Sequence, residues 1–269
     1  MRLLLLSSLM IGVLPCGAAD ATLLDTGYQQ MYDLRFDNAH RSFRQWEQLH
    51  PDDPLGPVSE GAAYLFSEFD RMQILESEFF MDDGTSLRIR RSDADPAVKA
   101  RFESALAKGQ SLADRVLQRS PDDENALFAT VLRLGLHADY LALVEKRYLA
   151  SLNEMKQGRD VARKLLAAHP QCYDAYLAIG VENYVLSLKP APIRWLLRVG
   201  GAQTDKDVGI ANLRLTAGKG RYLMPYARLL LAVAALRDNN QPQARRTLAW
   251  LAEAYPQNRL YREELAKLP

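Results

Sequence analysis

One spacing constrains this chain more than any other. A small residue followed twelve positions later by proline recurs from Ala39 to Pro51, Gly109 to Pro121, Gly158 to Pro170 and Ala244 to Pro256. A small side chain lets a neighbouring backbone come close, and proline, which has no amide hydrogen, ends a helix. Between these marks, apolar residues fall at helical intervals, as in Tyr28, Met31, Tyr32 and Leu34 or Leu112, Val116 and Leu117. Strand patterns are almost absent. A chain punctuated in this way folds as paired helices, each stacked on its neighbour.

Gly27, Ala39, Phe43 and Pro51 stand at the spacings of the tetratricopeptide repeat, and Gly61 with Tyr64 match the first helix of a second unit. In such a unit the small residue marks where two antiparallel helices touch, and the aromatic ring fills the gap beside them. Pro121 and Pro170 are 49 residues apart, longer than the usual period of about 34, so the helices are longer than standard. The expected fold is all-α: a right-handed α-solenoid of about five tetratricopeptide-like helix pairs. Asp95 before Pro96, Asp122 and Asp123 after Pro121, and Thr204 with Asp207 read as helix caps. A turn at Asp82-Asp83-Gly84 followed by alternation through Arg91 reads as one small non-helical insertion near residues 80–93.

The start of the chain reads as a leader. Arg2, the apolar stretch from Leu3 to Leu14 and the small residues Gly17-Ala18-Ala19 have the layout of a secretory signal peptide. The expected division is a signal peptide at 1–19 and a single solenoid domain at 20–269, exported to the periplasm. A lipid anchor at Cys16, after Val13-Leu14-Pro15, and an extracellular destination are the alternatives. Without the leader the chain keeps one cysteine, Cys172, so an intramolecular disulfide is excluded. Of the 34 basic and 33 acidic side chains, only Arg2 lies in the leader, so the remainder is formally neutral. Neutrality removes the whole-protein electrostatic case for nucleic acid or an anionic membrane as the main partner.

From Ile179 to Leu213, Gly180, Asn183, Leu186, Ser187, Pro190, Leu197, Gly200, Asp205, Gly209 and Leu213 form a pattern. It resembles the segment shared by the inclusion-body-clearance family, also called the tetratricopeptide repeat protein thirty-nine family, and its secreted bacterial relatives. The resemblance spans most of residues 22–265 and implies architecture; it brings no established chemistry. Read directly, the segment is a helix ending near Leu188, a break at Pro190 and Pro192, a short helix from Ile193 to Arg198, and a glycine turn. Trp195, Leu196 and Leu197 are expected to plug the inner curve as core. The alternative is an exposed patch, flanked by Lys189, Arg194 and Arg198, that meets a membrane surface or a partner helix.

No constellation points to an enzyme. The histidines, at 40, 50, 137 and 169, lack zinc-site spacing, and His50 and His169 sit before Pro51 and Pro170 as helix-end residues. Cys172 near His169 has no orienting group and reads as a quiescent thiol. Gly200-Gly201 and Gly218-Lys219-Gly220 read as helix C-terminal turns. No catalytic, cofactor or metal residues are assigned, and no cofactor is expected. The expected function is a non-enzymatic scaffold that binds a protein or peptide in its concave groove. Its candidate partner-binding residues are Tyr28, Tyr32, Tyr64, Asn183, Tyr184 and Trp195. The alternative is a carrier or membrane-peripheral protein that takes a hydrophobic ligand through residues 185–199.

Overall fold

The structure, a computed structural model, describes residues 22–74 and 93–268. The expected leader, the Cys16 anchor and nearly all of the expected insertion lie outside the described residues. Among those described there is no strand. The helices are α1 (Leu23–Tyr32), α2 (Phe36–Leu49), α3 (Leu55–Arg71), α4 (Pro96–Arg119), α5 (Glu124–Asp139) and α6 (Tyr148–Ala168). They continue with α7 (Tyr176–Ser187), α8 (Ala191–Val199), α9 (Lys206–Lys219), α10 (Met224–Arg237), α11 (Gln241–Ala254) and α12 (Arg259–Ala266). A π-helical turn, Tyr140–Val144, extends α5.

The four prolines of the repeated spacing end four helices by one mechanism. The residue before each is the C-cap of α2, α4, α6 or α11: His50, Ser120, His169 and Tyr255. All four have φ between −129° and −134° and ψ between 67° and 85°, because the proline ring pushes the preceding residue out of the helical region. Half of the starts carry side-chain caps. Asp95 accepts from the Ala97 amide with Pro96 behind it, and Asp123 accepts from Ala126. The cap expected from Thr204 and Asp207 is instead Asp205, which accepts from the amides of Asp207 and Val208. Thr204 is occupied by Arg198, whose Nε donates to its hydroxyl at 2.6 Å.

Helices pack mainly on their neighbours in sequence, from α1 on α2 through α6 on α7 and from α9 on α10 through α11 on α12; α7 packs on α9, passing over α8, and α3 also packs on α5. The small residues of the spacing sit at these contacts. A side chain at Gly27 would begin 2.3 Å from the Phe43 ring, so α1 and α2 meet where glycine leaves room for the aromatic. Alternate helices supply the innermost layer, and their rings run together. Tyr28 stacks on Tyr222 at 4.8 Å, Tyr32 packs edge-on against Phe66, and Phe66 packs against Tyr226 of α10.

The first helix also meets the last ones. Tyr32 packs on Tyr255 at 5.7 Å, Asn258 donates to the Tyr32 carbonyl at 2.8 Å, and the Gln257 amide donates to Asp33. Gln29 donates to the Ala254 carbonyl, and Arg221 makes a two-pronged pair with Asp25. Contacts separated by roughly two hundred positions therefore join the two ends of the helical series.

Candidate functional site

Five of the six candidate residues are covered. Tyr28, Tyr32, Tyr64, Asn183 and Tyr184 are all buried. Tyr28 shares a hydrogen bond with Ser59 at 3.0 Å, and burial drives its phenol far above the ordinary range. The Tyr64 hydroxyl accepts from Arg44 and donates to Glu60, on the side of α3 that faces α2. Asn183 donates to the Ile179 carbonyl, and its own carbonyl oxygen accepts the Asp205 amide at 3.1 Å.

The conspicuous pattern from Ile179 to Leu213 is a structural joint. A side chain at Gly209 would begin 2.6 Å from the Tyr184 backbone nitrogen, so α7 and α9 touch backbone to backbone. Beside this contact, Arg159 of α6 pairs with Glu182 at 2.9 Å, and Glu182 has no exposed surface. Burial pushes the Glu182 carboxyl up, while the Gln203 amide and Arg159 hold it down towards its charged form. Arg159 also donates to the Gly201 carbonyl, and Lys156 donates to Gly200. Gly201, at φ +84°, closes α8 with the Ala202 amide returning to the Leu197 carbonyl. The bonds to Gly200, Gly201 and Gln203 fix the turn that follows α8.

The helix so held is turned inside out. No residue of α8 is buried, which overturns the expectation that Trp195 and Leu196 plug the core: they are 67% and 64% exposed. At 100° per residue, Pro192, Trp195, Leu196 and Val199 share the outward face, with Ile193 at its edge. Arg194 and Arg198 occupy the opposite side and are tied to the chain. Arg194 donates to the carbonyls of Ser187 and Lys189, and Arg198 bonds Thr204. They therefore anchor the helix and do not flank its apolar face, as the sequence suggested. With its cations spent on the body, α8 presents its apolar side to solvent.

Other large apolar side chains are exposed among the described residues: Tyr148 and Leu149 at the start of α6, 64% and 86% exposed, Leu188 just after α7, and Val208 in the first turn of α9. Leu49 of α2 and Leu215 of α9 are exposed as well. Arg147, beside Tyr148, pairs with Glu145 at 3.2 Å, and Lys156 is bonded to the Gly200 carbonyl.

Elsewhere the titratable groups are committed to structure. The Cys172 thiol is pushed up to about 12 by burial and by nearby Glu124 and Asp174, which keeps it protonated and unreactive. His169 bonds the Asp122 carbonyl at 2.7 Å, and His50 stacks on Trp46. No group of three His, Cys, Asp or Glu among the described residues is placed to hold a metal ion. Compared with known proteins, the chain matches no family model, no curated protein and no solved structure.

Proposed function

We propose that this is an exported, non-enzymatic tetratricopeptide-like α-solenoid that docks on an anionic membrane surface through α8. One observation carries the reading: a nine-residue helix exposes Trp195, Leu196 and Val199 while its arginines hold it to the body. An apolar face on the surface costs free energy in water unless something covers it. A lipid interface suits it because tryptophan partitions to the headgroup boundary and short amphipathic helices bury one face there. The chain as a whole is almost neutral, so acidic headgroups add only a local attraction, from Lys189 just before α8, worth about 1 kcal/mol near such a surface. The expected concave-groove scaffold loses support, because five candidate residues are covered by packing.

The test is flotation with vesicles of phosphatidylglycerol and phosphatidylcholine. The protein is expected to float with the mixed vesicles, more weakly with pure phosphatidylcholine, and to lose most binding on Trp195→Ala with Leu196→Ala. These side chains make no core contact, so the variant keeps its thermal stability. A parent protein that stays at the bottom of the gradient overturns the reading.

A further inference from the structure

Behind the inner tyrosines lies a cavity of about 80 Å³. Its wall is almost wholly apolar, drawn from α1, α3, α5, α6, α7 and α10, and aromatic rings of Tyr28, Tyr32, Phe66 and Tyr226 contribute to it. Among the described residues one carboxylate, Asp139, belongs to the lining, and no Lys, Arg or His does. Asp139 is surrounded by protein yet keeps partial exposure because it borders this free space. Its Oδ2 accepts the Tyr226 hydroxyl at 3.3 Å, a long bond, and no other described side chain or amide bonds it. The Tyr32 hydroxyl, buried in the same wall, has no hydrogen-bond partner.

The backbone is arranged to keep this space and this charge. Gly135 sits mid-helix in α5, where glycine costs about 1 kcal/mol relative to alanine, and no atom lies within 4 Å of where its side chain would begin. It stands one turn before Asp139. Directly after Asp139 the helix widens into the π turn Tyr140–Val144, a distortion common where a helix carries function. Gly135 is itself exposed, so the free space opens outward on this side.

We propose that this cavity is a binding site for a small apolar organic amine, with its ammonium on Asp139 among the aromatic rings. The chemistry selects this class. An ammonium supplies the donors that the carboxylate lacks, and ring faces attract cations. An organic anion would meet Asp139 with no basic side chain among the described lining residues to offset the repulsion. For scale, an apolar cavity of about 150 Å³ accommodates benzene, so a space of about half that volume suits an amine of one or two carbons. The site is separate from α8 and stands whether or not α8 meets a membrane.

The test compares ethylamine, ethanol and acetate by ligand-observed NMR at about pH 8, where the carboxyl is ionised. Ethylamine is expected to bind about tenfold or more tightly than the other two. Asp139→Asn should reduce the amine to the level of the alcohol. Gly135→Leu, which fills the cavity from a position with room for a side chain, should abolish binding of all three while the protein stays folded. An amine that binds no better than the alcohol, or a preference that survives Asp139→Asn or Gly135→Leu, overturns the proposal. So does a cavity that takes up none of the three and holds water alone.

Discussion

Asp139 also makes a prediction about stability. Burial pushes its carboxyl up to about 7 against the single opposing hydrogen bond from Tyr226. The folded protein therefore holds a proton that the unfolded chain releases near 4, and stability falls as pH rises through this window. Asp139→Asn keeps an acceptor for Tyr226 and removes the buried charge. The variant should melt several degrees higher than the parent at about pH 8 and close to it at about pH 4, since each kcal/mol is worth roughly 2–4 °C at this length. Equal melting temperatures across the range would show that the carboxylate is better solvated than its surroundings imply. Glu182 is the contrasting case, a buried carboxylate met by both Arg159 and an amide. Neither role is visible in sequence. Asp139 looks like any acidic residue near a helix end, and its surroundings come from five other helices.

Among the elements, the α7–α9 joint is the least tolerant of added volume. A methyl group at Gly209 would collide with the Tyr184 backbone, which cannot swing aside as a side chain could. Gly209→Ala should cost roughly 1–3 kcal/mol, read by chemical denaturation, and should weaken vesicle flotation further because α8 is seated on this joint. Little loss of stability would mean that α9 can slide. The helices and their ends were largely legible: proline, aspartate caps and 3.6-residue periodicity act within a few positions. Gly27, Gly180 and Gly209 were likewise marked by spacing or by pattern. The outward turn of α8 was not, since periodicity shows that Trp195 and Leu196 share a face but not which face has a neighbour. The decision lies with Arg194 and Arg198, whose partners are carbonyls and a hydroxyl of the flanking loops.

At the scale of the whole molecule, the meeting of first and last helices could not be read from local pattern at all. Asp25 and Arg221 lie 196 positions apart. Burial alone would raise the Asp25 carboxyl, but hydrogen bonds from Arg221 and Thr22 hold it at about 2. This pair thus contributes stability above the ordinary carboxylate range and loses it as pH falls from about 4 to about 2. Because Arg221 is half exposed, the contribution is no more than about 1 kcal/mol. Arg221→Ala should speed hydrogen exchange at the start of α1 near neutral pH, and acid should abolish the difference between variant and parent. A difference that persists in acid would assign the seam to the rings and amides around Tyr32 instead.

An open stack of helices behaves as a spring, since each joint can bend a little without consulting the others. Here Tyr32 against Tyr255, Asn258 on the Tyr32 carbonyl and Arg221 on Asp25 tie the ends of the spring together. A bend at one joint must then be offset at another, or the seam must part. Curvature becomes a property of the circuit instead of the sum of independent hinges.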